Sequence, residues 1–194
     1  LLLSSPSNPT GTIIDQNEFE LIKDYVDKRE GFLVVDEIYQ GIVFDDAPAS
    51  RMIGTALQID PSIIVVNSFS KYFGMTGWRL GWFVVPESLV GVTERIAQNI
   101  YISPSSIAQY AALEAFDTSV LKICEERRLV FQKRRDLMIS MLEETGLSIP
   151  QPPQGAFYIY ADISISGVCS DEFCKLLLTK EHVAVTPGSD FGVY

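Results

Sequence analysis

The segment Asn67-Ser68-Phe69-Ser70-Lys71 directly follows the apolar run Ile63-Ile64-Val65-Val66. A lysine inside a strand is costly. At the exit of one, in a cleft, its amine can be desolvated enough to act as a nucleophile toward a carbonyl carbon. Ser68 and Ser70 precede the amine, and the glycine-punctuated stretch Gly74-Met75-Thr76-Gly77-Trp78-Arg79-Leu80-Gly81 follows it. Two hydroxyls and an arginine suit a phosphate, and the glycines let backbone approach it closely. A lysine that forms a Schiff base, beside a phosphate anchor, points to pyridoxal 5'-phosphate (PLP) as cofactor.

Other candidates fall at neighbouring positions. Asp36 ends the apolar run Phe32-Leu33-Val34-Val35. Ligands of parallel α/β sheets bind at the carboxyl ends of strands, so Asp36, Lys71 and the loop of Asn8 belong to one edge. Asp36 there could pair with a protonated ring nitrogen, or merely cap the next turn. Tyr39 and Asn8 could each donate to a phenolate oxygen, which would lower the Schiff base pKa. Core packing for Tyr39 and a plain turn for Asn8 are the alternatives. Arg79, between Trp78 and Leu80, needs an anion, either a phosphate or an Asp or Glu of the protein. The single histidine, His182, reads as the start of a surface strand, so no Ser-His-Asp triad is available. Neither GxGxxG nor GxxxxGK[ST] occurs.

The elements that must hold these residues alternate in the first half. Strands are expected at Leu1 to Ser4, Phe32 to Val35, Ile63 to Val66 and Leu80 to Val85, the last closed by Pro86. A helix starts at the Asp15/Glu18 capping box, carries Phe19, Ile22 and Val26 on one face, and stops at Gly31. Continuous apolar strands separated by helices imply an α/β fold, a mainly parallel sheet with helices on both faces. Further on, helices are expected over Ser105 to Phe116 and Val120 to Glu144. The charges of the second (Glu125, Glu126, Arg127, Arg128, Lys133, Arg134, Arg135) read as a solvated face with local ion pairs. After Pro150, Pro152 and Pro153, a strand over Ala156 to Ala161, a helix over Asp171 to Thr179 and a strand over Val183 to Thr186 suggest part of a smaller α+β domain.

The chain has 194 residues, 47% hydrophobic, with 11 Phe and 8 Tyr, enough for a substantial core. Its net charge of −10 argues against nucleic-acid and anionic-membrane surfaces. No segment is long and apolar enough to span a membrane. Cys124, Cys169 and Cys174 lack CxxC or metal-ligand spacing and fit thiols in a reducing compartment such as the cytoplasm.

Six separated motifs occur in order: Ser7-Asn8-Pro9-Thr10-Gly11, Asp36-Glu37-Ile38-Tyr39, Ser68-Phe69-Ser70-Lys71, Gly77-Trp78-Arg79-Leu80-Gly81, Pro153-Gln154-Gly155-Ala156-Phe157 and Pro187-Gly188-Ser189-Asp190-Phe191-Gly192. With them the whole chain resembles the class I/II aminotransferases, fold-type I PLP enzymes. The resemblance implies that Lys71 holds PLP and later moves the substrate Cα proton, and that Asp36 pairs with the pyridine nitrogen. Asn8 and Tyr39 would bond the phenolic oxygen, while Ser68, Ser70 and Arg79 hold the phosphate. Phe157 would line the substrate side. It further implies a PLP-binding large-domain part over 1–117, an interdomain helix with part of a small domain over 118–194, amino-acid and 2-oxo-acid substrates, and a homodimer. In this family a carboxylate-clamping Arg follows the last motif by a dozen or so residues, beyond Tyr194. The small-residue phosphate loop and the ring stacked on the cofactor precede Leu1. The chain is therefore expected to be a piece of a longer protein, without useful activity alone. A PLP lyase or synthase of the same fold would share the cofactor residues. An aminotransferase-like effector domain of a transcription regulator would instead need a basic winged helix-turn-helix before residue 1.

Overall fold

The structure is a computed structural model that describes residues 1–47 and 54–192. Four strands form one sheet in the order β1 (Leu2–Ser4), β2 (Val34–Asp36), β3 (Ile64–Ser68), β4 (Gly81–Val84). The first three run parallel, with Ser4 opposite Asp36 and Asp36 opposite Val66. β4 returns antiparallel to β3, with Ser68 opposite Gly81. The sheet is mostly parallel, as expected, and the exits of β1, β2 and β3 lie along one edge.

The helix between β1 and β2, α1 (Gln16–Asp27), begins with the expected capping box: Asp15 accepts from Glu18 N, and Glu18 reaches back to Asp15 N at 2.9 Å. Its stop differs in detail. The left-handed residue of the turn is Glu30 (φ 54°), and Gly31 N donates to Val26 O at 3.1 Å. Phe19 and Val26 of α1 pack on Leu33, Val35, Ile63 and Val65. Each such side chain, removed fully from water, contributes about 1.5–3 kcal/mol. Thus alternate residues of β2 and β3 build the core, and their exits are held rigid.

Among the described residues, four α-helices follow β4. α2 (Glu87–Tyr101) was not foreseen, and none of its residues is buried. α3 (Ser106–Glu114) places Ala108 and Ala112, together with Ala115 just beyond it, against Phe69 and Leu80. Their small side chains bring the helix close under the loop that carries Lys71. α4 spans Thr118–Glu144, and α5 spans Ser170–Leu176.

The expected strands over 156–161 and 183–186 are absent. Only isolated bridges flank the first run, Val43 with Gly155 and Ser148 with Asp162. An apolar run becomes a strand only beside a ladder partner, and neither run joins the sheet. His182 sits instead in a left-handed position (φ 59°) after the turn that ends the α5 segment. Nor is the charged face of α4 simply solvated. Arg128 binds Asp45 at 2.9 Å and Val43 O at 2.9 Å, whereas Arg135 is buried on Asp46 (2.7 Å) and Pro153 O (2.8 Å). Meanwhile Leu137, Met138 and Met141 are exposed. The 43–47 loop offers carboxylates and carbonyls that need donors, and α4 crosses it.

Candidate functional site

Lys71 stands in the loop 69–80 that joins β3 to β4. The loop is cross-braced: Phe69 N donates to Leu80 O (3.1 Å), Gly74 N to Lys71 O (3.0 Å) and Met75 N to Phe69 O (3.0 Å). Behind it, the Phe69 ring contacts Phe73, Trp82 and Phe116. The amine is half-buried, with its Nζ 5.5 Å from the centre of the Tyr39 ring and 5.6 Å from that of Phe157. Among the described residues no carboxylate pairs with it. Two aromatic faces and no counter-ion leave the amine available for chemistry.

Asp36 ends β2 on the same edge. Its Oδ1 accepts from Ile38 N at 3.1 Å, so the turn-capping alternative is real for one oxygen. The other accepts from no described residue and remains open to a ligand. Glu37, next along, is buried and turns away from the edge; it accepts from Ala56 N at 2.6 Å and from the Thr55 hydroxyl at 3.1 Å. Burial pushes its carboxyl above the usual range, against those two bonds, and the Asp36 charge adds to the rise.

Tyr39 is buried, and its hydroxyl is hydrogen-bonded to that of Tyr158. Burial first, then this bond, holds its phenol proton well above the ordinary range. Edge-on contacts set the ring: Phe157 at 5.4 Å and 84°, Tyr158 at 5.4 Å and 80°. Phe157 also stacks on Phe131 of α4 at 5.5 Å.

Backbone fastens this aromatic group to the sheet edge. Gln154 N and Gly155 N both donate to Gly11 O (2.9 and 3.0 Å), Phe44 N donates to Gln154 O (2.9 Å), and Ala156 N donates to Ile42 O (2.8 Å). Gly155 is required by closeness: a Cβ there would meet Ile42 O at 2.6 Å. Ala156 adopts φ 59°, a left-handed conformation that costs an alanine roughly 1–2 kcal/mol. Its side chain is buried between Tyr39, Ile42 and Phe44.

The phosphate candidates share the Lys71 loop. Ser70 N donates to Ser68 Oγ (3.0 Å), the Thr76 hydroxyl to Ser70 O (2.7 Å), and Arg79 Nη1 to Thr76 O (3.0 Å). Ser68 also donates to Leu80 O at 3.3 Å, whereas the Ser70 hydroxyl bonds no described residue. Arg79 differs from expectation: it is exposed, at φ 52°, with no acidic partner among the described residues. Its neighbour Trp78 also faces solvent, so of the two flanking apolar residues only Leu80 is buried. Asn8 is exposed in the loop after β1, whose exit adjoins that of β2.

Two cavities flank the loop. A cleft of about 440 Å³ is lined by Asn67, Ser68, Tyr72, Phe73, Trp82 and Phe116, among others, and does not reach Lys71. A smaller one of about 120 Å³ takes in Lys71, Cys124, Arg127, Arg128 and Phe131. Tyr72 lines both, and its hydroxyl donates to Glu125 at 2.7 Å. Lys71 borders the smaller space and Ser68 the larger.

Sequence reasoning missed Tyr158, Phe131 and Arg127. Nothing local marks Tyr158, whose partner Tyr39 is 119 positions away.

Residues 1–193 match the family described as aminotransferase class I and II. A valine–pyruvate aminotransferase of Mycobacterium tuberculosis is 38% identical over 98% of the chain and 48% of its own length. An aspartate aminotransferase of Pyrococcus abyssi is 36% identical over 99% of the chain and 49% of its own length. The crystal structure of an aminotransferase from Mycobacterium tuberculosis superposes with a TM-score of 0.93 at 38% identity, over 98% of this chain and 49% of that one. The chain spans about half the length of the curated relatives it matches. No helix among the described residues is long and apolar enough to cross a membrane. With residues 1–193 matched by the family profile, the chain belongs to the class I and II aminotransferases.

Proposed function

We propose that this chain carries the cofactor-binding edge of a PLP-dependent aminotransferase, which moves an amino group between an amino acid and a 2-oxo acid. One observation carries the reading: an amine without a counter-ion, half-buried between the Tyr39 and Phe157 rings, at an edge where Asp36 keeps one carboxylate oxygen open. The donor set fits PLP. PLP, when bound, supplies an electron-withdrawing ring that takes up charge developing at the substrate's Cα. Lys71 binds the cofactor and then carries the Cα proton over a short, effectively intramolecular path. Asp36 keeps a proton on the ring nitrogen. Asn8 and Tyr39 donate to the phenolic oxygen. Ser68, Ser70 and Arg79 hold the phosphate; of these, Ser68 must turn its hydroxyl away from Leu80 O to do so. Phe157 lines the substrate side.

The relatives reported above are both named as aminotransferases, which favours transamination over a lyase or synthase of the same fold. In the whole protein, residues 1–117 belong to the large domain, and 118–194 to the interdomain helix and small domain. The protein is a cytoplasmic homodimer.

The test is a PLP titration of this chain, followed by borohydride reduction and peptide mapping. The expected result is a saturable visible band, with the pyridoxyl group on Lys71 and lost in Lys71→Ala. A folded whole protein that takes up no PLP would overturn the reading; a folded chain that takes up none would show that segments outside it are needed to hold the cofactor. The isolated chain is expected to show no useful transamination. The whole protein is expected to form product only with a 2-oxo acid present.

A further inference from the structure

We propose that Tyr158 is a positioning residue for Tyr39: its hydroxyl donates to the Tyr39 oxygen and so aims the Tyr39 proton at the phenolic oxygen of the bound cofactor. This rests on the PLP reading above.

Proton counting carries the argument. The two hydroxyls are bonded to each other and to no other described residue. A pair of phenols holds two protons, and one bond between them uses one. The second is left without an acceptor. Tyr39 is only 2% exposed, so its proton has no route to bulk water, whereas the ring of Tyr158 is half-buried. With no ligand, the stable arrangement has Tyr39 donating to Tyr158, in line with a Tyr39 phenol that holds its proton. A ligand oxygen on the Lys71 side offers Tyr39 a new acceptor. The bridge then reverses, Tyr158 donates, and both protons are used. Bonds in such a chain polarise one another, so Tyr39 becomes a stronger donor than an isolated phenol.

The position of Tyr158 is not left to side-chain packing. The Gln154–Ala156 turn is fixed by backbone bonds to Gly11, Ile42 and Phe44, the last two in the segment just after Tyr39. The Tyr158 ring then meets Tyr39 edge-on and lies 4.8 Å from Phe157. A residue more than a hundred positions along the chain is thereby held in register with the β2 exit.

The readout is the pH midpoint at which the visible band of the bound cofactor passes between its protonated and unprotonated forms. The titratable and charged groups facing Lys71 and Tyr39 are Asp36 from β2, Tyr72 from the Lys71 loop, Tyr158 from the turn segment, and Cys124, Arg127 and Arg128 from α4. All but Tyr158 stay the same in every variant below. Tyr158→Phe keeps the ring contacts and removes only the hydroxyl. It is expected to raise the midpoint by about half to one pH unit, the size of one modest hydrogen bond. Tyr39→Phe raises it further. In a Tyr39→Phe background, Tyr158→Phe adds nothing, because there is no hydroxyl left to aim; a merely structural role would give additive shifts. Additive shifts, or an unmoved midpoint in Tyr158→Phe with native circular dichroism, would overturn the proposal while leaving the PLP reading intact. Absence of any band in the whole wild-type protein would remove both.

Discussion

The edge that bears Lys71 and the flank formed by α2 and α3 are built on different terms. At the edge, side chains find their partners within the chain: Phe44, Ala156 and Tyr39 are at most 2% exposed, and Arg135 lies over the Phe44 ring at 4.5 Å. On the flank, Ile100, Ile102, Ile107, Tyr110 and Leu113 are all at least 68% exposed. Both regions are rich in apolar residues. The difference teaches that composition does not decide which residues a fold depends on. Closure by backbone bonds and buried contacts does.

Substitutions should separate the two regions sharply. The largest effect is expected for Phe44→Ala, which empties a buried site and leaves Arg135 without its aromatic face. A loss of about 3–5 kcal/mol in urea unfolding is expected. A loss below 1 kcal/mol would mean that the 153–158 segment is not anchored as described. Next comes Arg135→Ala. Asp46 is more than half exposed, so the ion pair itself counts for little. The bond to Pro153 O is buried, and its loss, with that of the packed stem, should cost roughly 2 kcal/mol. Arg135→Lys should recover only part of this, since one ammonium cannot bridge Asp46 and Pro153 in the same fork.

Glu37 tests the edge through pH. Its folded pKa is raised, so the folded state binds the proton more tightly than the unfolded chain does. The associated stability is complete below the unfolded value near 4.5 and is lost as pH rises through the folded value. Comparing unfolding free energies at pH 4.5 and pH 7, Glu37→Gln should remove this group's share of the decline. An unchanged pH profile in the variant would show that the Glu37 charge costs the fold nothing. The smallest effect belongs to the flank: Ile100→Ser should change stability by no more than about 0.5 kcal/mol, because the side chain is 74% exposed already. A large loss there would erase the contrast between the regions.

Much of the edge could be read from the chain. Asp36 and Lys71 follow uninterrupted apolar runs, and a parallel sheet brings such exits together by geometry alone. The Asp15/Glu18 box is local, and it formed as read. What could not be read depended on distant partners. Arg128 and Arg135 look like any helix-surface arginine until the 43–47 loop lies beneath them, more than eighty positions back. Pro86 was read only as the end of a strand. It also sits at the N-cap of α2 without a capping side chain, so no local signal announced that helix. The Ala156 to Ala161 run has the aromatic, apolar composition of a strand but no ladder to join.

Lys71 and Arg79 ride on the same closed segment, whose two ends are clamped together where Ser68 faces Gly81. Amine and guanidinium are thus two points on one braced ring of chain rather than two parts brought together by packing. If the sheet twists or breathes, the ring tilts as a unit, and the backbone positions that carry the two cations move together.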